Sequence, residues 1–348
     1  VSWRENDISS VDLNVQQGQS ELIGNGALPV GLLSQGRSVV FTAPDITEND
    51  MQMVALEGWH QLRQGLRVSG SVNWRQNQTH SFNGDASEYE ICRFSGGSQA
   101  LFEESDELED ALEDLLAIGL DDICEGEDPA ISDFAALEGF IESRALAQGL
   151  DPEDFEPDNL SEALSGSGVL SDEAINNISN RRQTSRSFSG QLELTDALFK
   201  RPNQLVSGIS YTDGSSAFNA VLELADLDPL TRSTLGLGTG TFVDTSATDI
   251  TTRTETRSWY FSDTLDLTAR VSLTLSGRYN RTRIILRDQS GARPELNGDH
   301  VFNRFNPALG LTWNPNEALT WYGSYSESNR VPTPIELACN EGVFTVAR

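Results

Sequence analysis

The residues most able to do chemistry in this chain are its histidines, its cysteines and its many carboxylates. His60, His80 and His300 lie far apart in sequence, and no two of them have the spacing of a metal site or a catalytic triad. Nothing near the paired carboxylates indicates the buried environment that shifts the pKa of a general acid. The sequence therefore predicts no catalytic residue, no cofactor and no resident metal, so the chain is not expected to be an enzyme.

Two acidic runs are the best candidates for a cation site, because calcium prefers carboxylate oxygens as ligands. They occupy residues 121–128 and 151–158. Neither run has the spacing of an EF-hand loop, with its mid-loop glycine and final bidentate glutamate. A solvated acidic face is the better interpretation of both.

The negative charge of the chain is concentrated in one segment. Of its 53 acidic residues, 24 lie within residues 103–173, where Arg144 is the only base, and the net charge of the whole chain is -29. Such a segment is either a solvated loop or a field that attracts cationic ligands. No basic stripe is available for phosphates, so nucleic acid is not expected as a partner.

The elements around these residues are β-strands, because apolar and polar residues alternate over most of the chain. In residues 258–330 this period of two recurs four times, as where Leu273 and Leu275 alternate with Ser272 and Thr274. Successive side chains of a strand point to opposite faces, so each segment has an apolar and a polar face. About eight or nine such strands are expected.

The composition fits strands in a membrane better than a large soluble core. Hydrophobic residues make up 37% of the 348 residues, and the mean hydropathy is -0.36. No apolar run is long enough for a spanning helix, whereas a barrel strand needs only one apolar face.

The lengths of the connections alternate along the chain, which favours a transmembrane β-barrel with turns on one rim and loops on the other. The short connections are 62–65, 196–203, 266–270 and 314–318, and the longer ones are 24–36, 83–182, 221–250 and 289–298.

Four regions follow from these patterns. Residues 1–82 and 183–330 supply barrel strands, and residues 331–348 begin a further, truncated extracellular loop. Residues 83–182 form an acidic extracellular insertion without alternation. Leucines at helical spacing predict one short amphipathic helix near residues 108–116, and a second is expected after a cap at Ser132.

Aromatic residues fall towards the ends of the strands, as expected of the two girdles at the interfaces of a bilayer. The alternative is the general preference of strands for aromatic side chains. The girdle candidates are Trp59, Trp74, Tyr211, Trp259, Tyr279, Trp313 and Trp321.

Several stretches resemble the middle of the barrel of TonB-dependent outer-membrane receptors. They include "SWYFSDTLDLTARVSLTLSGRYNRTRI", "LNGDHVFNRFNPALGLTW" and "WYGSYSESNRVPTPIELAC". The most specific part is residues 328–337, which match a recurrent pattern at the start of a loop in these receptors. Arg330 and Glu336 in this part are the candidates for contact with a ligand.

The resemblance implies a 22-stranded barrel with an N-terminal plug, of which this chain would be a central piece without plug or closing strands. It further implies uptake of a scarce ligand such as a siderophore or other metal chelate, driven by the TonB complex through the plug. The expected partners are outer-membrane lipid, that complex and a small extracellular ligand, and the expected location is the bacterial outer membrane.

The cysteines suit an exported protein, whose surroundings are oxidising. Cys92 and Cys124 flank the first half of the acidic insertion and belong to no CxxC motif, so zinc is not expected. A disulfide between them is predicted, with two free thiols as the alternative. Cys339 would then be left without a partner within the chain.

Two other functions remain open. A passive, porin-like barrel would have the same wall but an open lumen. A soluble or surface-attached β-rich binding module would instead bury its apolar faces against a second sheet.

Overall fold

The main feature of the structure, a computed structural model, is one large antiparallel sheet. The structure describes residues 1–5, 8–24, 28–36, 39–103, 124, 126, 130–151 and 161–337. The strands of this sheet are β1 (Ser2–Glu5), β2 (Ser9–Gly24), β3 (Asp45–Arg63), β4 (Leu66–Ala86), β7 (Leu164–Gly166), β8 (Ala174–Leu198), β9 (Arg201–Ala225), β10 (Gly238–Thr268), β11 (Val271–Asp288), β12 (Gly298–Asn316) and β13 (Leu319–Ser326). A separate hairpin consists of β5 (Tyr89–Arg93) and β6 (Gln99–Glu103).

The strands of the main sheet follow one another in chain order. The order is β1-β2-β3-β4-β8-β9-β10-β11-β12-β13, every neighbouring pair is antiparallel, and the short β7 pairs with β10. Only the segment between β4 and β8 interrupts this up-and-down pattern, which confirms the antiparallel all-β architecture predicted from the alternation. The main sheet has eleven described strands instead of the eight or nine predicted. The first predicted strand is in fact two strands, because the chain turns back after Glu5 and pairs Trp3 with Val11, and the short β7 was not predicted.

Four hairpins of the main sheet are closed by two residues each: 64–65, 199–200, 269–270 and 317–318. Gly65 has a φ of 77°, and a Cβ at this position would lie 2.1 Å from the carbonyl oxygen of Thr195. Phe199 and Lys200 have φ values of 52° and 63°, which is the backbone of a type I′ turn. All four turns lie on one rim.

The longer connections lie on the opposite rim. They join β2 to β3, β4 to β8, β9 to β10 and β11 to β12, and the segment after β13 starts at the same rim. The predicted alternation of short and long connections is therefore confirmed. Two of the long connections are shorter than predicted, 87–173 instead of 83–182 and 226–237 instead of 221–250, because the strands that flank them extend beyond the alternating residues.

The insertion between β4 and β8 packs onto the rim through the β5–β6 hairpin. On one side of the hairpin, Tyr89, Ile91 and Leu101 are buried against Leu222 and Leu224 of β9. On its other side, Cys92 and Phe102 form a second cluster with the helix α1 (Phe134–Gln148), whose Leu137 and Ile141 are fully buried. Much of the buried apolar core of the described chain lies here, because the main sheet leaves its apolar side chains largely exposed.

The N-cap of the helix α1 lies one residue later than predicted. Asp133, not Ser132, is the N-cap, because its carboxylate accepts a hydrogen bond from the backbone N–H of Ala136 at 2.9 Å. Gly149 ends the helix with a φ of 75°. The helix predicted near residues 108–116 lies outside the described residues, and no described helix is long and apolar enough to cross a membrane.

Candidate functional site

The main sheet has one apolar face, assembled by the register of its strands. Directly paired residues share a face, and rows such as Trp259–Tyr279–Phe305 and Leu275–Leu309 run across β10, β11 and β12. This face is open: Leu309 is 49% exposed. One carboxylate interrupts this face: Asp263 pairs with Leu205 and Leu275 and accepts a hydrogen bond from Asn203 at 2.7 Å. An exposed, largely apolar surface of this extent marks contact with a membrane or with another protein.

The aromatic residues of the apolar face form two rows. On the side of the short turns, Trp313 is paired with Trp321, and on the side of the long loops Trp259 is paired with Tyr279. Trp313 lies opposite Val271, eight residues before Tyr279 on β11, which is roughly 27 Å along the strand. At the usual strand tilt the rows are about 20 Å apart, close to the height of the apolar band of outer-membrane barrels.

Six of the seven girdle candidates lie on this face, and Trp59 does not. Trp59 pairs with Ser10 and Ser69, whereas its neighbours Val54 and Leu56 pair with Trp74 and Val72 on the apolar face. The guanidinium of Arg67 stacks on the Trp59 ring, with 4.3 Å between its carbon and the ring centroid. The placement of Trp59 in a girdle was therefore wrong. The other six remain predicted girdle residues.

The opposite, polar face is lined by small hydroxyl and amide side chains. Hydroxyl groups of neighbouring strands lie within hydrogen-bond distance, as in Ser71–Ser189 at 2.7 Å and Ser262–Ser276 at 2.7 Å. Such a face suits a water-filled passage, because every group can exchange its partners with water. A cleft on this face, towards the long loops, is lined by Arg75, Asn77, Gln183, Ser185, Thr252, Thr254 and Pro334.

The polar face also carries an apolar patch, which the sequence did not indicate. Ile284 and Leu286 of β11 are almost fully buried there, under Val331 and Leu337. The segment 331–337 therefore folds back over the inside of the sheet. The sequence signal was weak, because Ile284, Ile285 and Leu286 are consecutive and so define no face.

Arg330 and Glu336, the predicted ligand contacts, bind each other in this segment. The two guanidinium nitrogens of Arg330 donate to the two carboxylate oxygens of Glu336 at 2.8 and 2.6 Å. Thr333 completes a capping box: its backbone N–H donates to Glu336 at 2.6 Å, and the N–H of Glu336 donates to the Thr333 hydroxyl at 3.3 Å. Hydrogen bonds from Arg330, followed by those from Thr333, lower the pKa of Glu336 to about 2.

This ion pair holds the segment closed and does not form an open binding site. Both carboxylate oxygens of Glu336 already accept hydrogen bonds, so a ligand would have to displace Arg330 to reach them. The capping residue Thr333 was missed from the sequence, although Thr333-x-x-Glu336 is the recognisable spacing of a capping box.

Cys92 and Cys124 are joined by a disulfide, with their Cα atoms 4.2 Å apart. Both are nearly inaccessible and belong to the cluster formed with α1. Cys339 lies outside the described residues.

The structure does not bring the histidines together. Nδ1 of His60 lies 2.7 Å from the hydroxyl of Ser9, and Nδ1 of His80 lies 2.9 Å from the side-chain oxygen of Asn180. Within the described ranges, no group of three or more histidine, cysteine, aspartate or glutamate side chains is placed to hold a metal ion. The acidic runs 121–128 and 151–158 fall outside those ranges, apart from Cys124, Gly126 and Asp151.

Comparison with known proteins identifies a family to which this chain is similar. A family model described as TonB dependent receptor-like, beta-barrel matches residues 57–346. No curated protein is similar enough in sequence to be matched.

Solved structures with the same fold include three receptors or transporters. The ferric citrate transporter FecA, unliganded, has a TM-score of 0.57 at 10% identity, covering 93% of this chain and 34% of its own. The ferric-catecholate import receptor Fiu from E. coli K12, closed form, has a TM-score of 0.55 at 12% identity, covering 93% and 42%. The siderophore receptor PiuA from Acinetobacter baumannii has a TM-score of 0.54 at 8% identity, covering 93% and 40%. The chain thus spans about a third to two fifths of the length of these structures.

Proposed function

Because the chain belongs to the TonB-dependent receptor β-barrel family, we propose that it forms part of a receptor that imports a ferric siderophore or similar metal chelate. Members of this family are transport receptors of the bacterial outer membrane and not enzymes, which confirms the predicted protein class and location. The ferric chelate as ligand and the energised uptake are proposed for this chain.

One observation carries the proposal: the pairing of ten neighbouring strands separates an exposed, largely apolar face from a hydroxyl-rich face. A wall of this kind separates lipid from an aqueous passage. A soluble module would cover the apolar face with a second sheet, and none covers it among the described residues.

The rim with the two-residue turns is assigned to the periplasmic side and the rim with the long connections to the outside. This follows the usual asymmetry of outer-membrane barrels. The insertion between Ala86 of β4 and Ala174 of β8 starts from the outer rim, and the acidic residues of its sequence are proposed to give the outer mouth a negative field. Such a field raises the local concentration of cationic or metal-bearing ligands.

The cleft on the polar face is the proposed path of the ligand past this wall. Arg75 and Gln183 offer hydrogen-bond donors there, and Pro334 brings the segment 331–337 to its edge. The Arg330–Glu336 pair is proposed to position this segment and, when it opens, to offer the Arg330 guanidinium to an anionic chelate.

The driving force is proposed to come from the TonB complex acting through a plug within the full receptor. Support for this partner comes from the family alone. A passive porin with the same wall would conduct ions continuously, whereas a plugged receptor would not.

The test is growth and uptake in cells that lack other iron receptors and produce the full receptor containing this chain. With ⁵⁵Fe loaded on citrate, a catecholate or a hydroxamate, one chelate should accumulate in the cells, and accumulation should stop when the proton-motive force is dissipated. The purified receptor should be nearly silent in planar bilayers. Steady conductance with uptake that needs no energy would support the porin instead, and recovery in a salt wash without detergent would support the soluble module.

A further inference from the structure

An arginine pair lies on the apolar face, one row beyond its loop-side aromatic row. Arg257 of β10 is directly paired with Arg281 of β11, next to the paired Trp259 and Tyr279. Both guanidinium groups are exposed on the outer side of the wall, away from the proposed ligand path. Like charges that face each other across two strands destabilise a sheet unless something neutralises them.

The neighbouring acids neutralise this pair only in part. Nε and Nη2 of Arg257 both donate to one carboxylate oxygen of Glu255, at 2.9 and 2.5 Å. Arg283, the next residue outward on this face of β11, donates to Asp299 at 2.8 Å. Among the described residues, Arg281 itself has no hydrogen bond, ion pair or ring contact. One arginine of the pair is thus free in a chain whose net charge is -29.

A third polar side chain completes the row. Arg281 pairs on its other side with Asn303 of β12, and the hydroxyl of Tyr279 donates to the side-chain oxygen of Asn303 at 3.2 Å. This leaves the amide nitrogen of Asn303 to donate outward beside Arg281. On the β9 side of the row, the guanidinium of Arg257 lies over the ring of Tyr211, 5.9 Å from its centroid.

We propose that Arg257, Arg281 and Asn303 bind the phosphate of an anionic lipid of the outer leaflet. The inference rests on the proposed function in one respect, namely that the apolar face contacts lipid. Aromatic girdles lie at the level of the headgroups, so a row about 7 Å further out along the strands is at the height of lipid phosphates. Guanidinium forks match phosphate oxygens, and the lipid charge offsets the repulsion between the two arginines.

The test measures lipid retained by the full receptor in a neutral detergent, by native mass spectrometry. The probes are a lipid A with two phosphates, the same lipid after dephosphorylation, and inorganic phosphate. We expect the phosphorylated lipid to bind, and Arg257→Gln with Arg281→Gln to weaken it roughly tenfold or more. The double lysine variant, which keeps the charge but not the fork, should fall between the two.

The matched controls are the single variant Arg270→Gln and the double variant Arg270→Gln with Arg201→Gln. They remove the same number of charges as the single and double test variants. Both residues lie at the ends of the short-turn hairpins, on the opposite rim. These variants should bind the lipid like the unchanged receptor. Heat-dependent migration of each variant shows that its barrel is folded, and the single Arg281→Gln variant serves if the double variant does not fold.

Three results would overturn the proposal: equal binding by the glutamine variant, equal binding of the dephosphorylated lipid, or displacement of the lipid by inorganic phosphate at the same concentration. The last result would assign the arginines to a free anion. Normal iron uptake together with any of these results would leave the receptor function standing. If the unmodified receptor binds the lipid but takes up no iron, only the proposed receptor function is contradicted.

Discussion

The Arg330–Glu336 ion pair lies at the start of the segment that covers the inner apolar patch. Its bidentate geometry and the capping box of Thr333 hold one helical turn at residues 334–337. Through Leu337 this turn packs on Ile284 and Leu286. An isolated surface ion pair contributes little to the free energy of unfolding. The role of this pair is to fix the direction in which the segment 331–337 runs over the polar face.

The low pKa of Glu336 defines the pH range over which the pair holds. Because the folded pKa is about 2 and the free value is 4.5, the contribution to stability is full above 4.5, decreases between these values and is absent below 2. We expect a spin label at Ile335→Cys, with Cys339→Ser, to be equally immobile at pH 7 and pH 5 and to become mobile near pH 2–3. In the Glu336→Gln background it should be mobile already at pH 7. Immobility in that background would show that the ion pair does not hold the segment.

A second prediction at this scale concerns Leu309, which lies halfway between the two aromatic rows. An arginine near the middle of the lipid face of a barrel costs about 2–4 kcal/mol of folding free energy. Leu309→Arg should therefore lower the unfolding free energy by about this amount in urea titrations with lipid vesicles. Thr312→Arg, on the polar face of the same strand, should change it by much less, and equal effects would contradict the assignment of the faces.

At the scale of elements, the main sheet and the insertion are stabilised by different interactions. The strands hold one another through long ladders and leave their apolar side chains exposed. The β5–β6 hairpin and α1 instead share a small core that contains the disulfide of Cys92 and Cys124. The apolar side chains of α1 pack against other parts of the protein, whereas those of the strands are proposed to contact lipid.

The disulfide should matter to the insertion and not to the sheet. It closes a loop with a sequence separation of 32, for which the chain-entropy model gives roughly 3–4 kcal/mol. Changing both cysteines to serine should raise proteolysis within residues 89–148 while the barrel still migrates as a folded species. Loss of the folded species would show that the insertion stabilises the wall as well.

The turn between β8 and β9 carries a conformational cost that can be removed. Phe199 and Lys200 both adopt left-handed backbone, which costs a residue other than glycine about 1–2 kcal/mol. Replacing them with Asn-Gly, the preferred pair of a type I′ turn, should raise the unfolding free energy by about 1 kcal/mol. Gly65→Ala in the neighbouring turn should have the opposite effect, because its Cβ meets Thr195. A loss of stability with Asn-Gly would contradict the turn assignment.

The sequence predicted these elements well where local periodicity decides them. Alternation in residues such as Leu273 and Leu275 identified strands and their faces, and connection lengths identified the two rims. It failed for Trp59, because the face of a strand is set by its register with Ser10 and Ser69. The packing of Leu337 on Ile284 was also out of reach, since a contact between distant segments leaves no periodic signal.

At the scale of the whole molecule, the chain is a section of wall with a different chemistry on each side. Its polar side carries the cleft near Arg75 and the locked segment 331–337. Its apolar side carries two aromatic rows and the Arg257–Arg281 pair. Uptake along the polar side and lipid binding on the apolar side both require that the apolar side contacts the membrane.

The most direct test of that assignment is fluorescence quenching in proteins that retain one tryptophan each. In vesicles of lipids brominated on their acyl chains, Trp74, Trp259, Trp313 and Trp321 should be quenched strongly, because they lie on the apolar face. Trp59 should resist the brominated lipid and respond instead to a water-soluble quencher, since it lies on the polar face beside Arg67. Equal quenching of Trp59 and Trp259 by the lipid, or no quenching of either, would contradict the central claim that this sheet separates lipid from an aqueous passage.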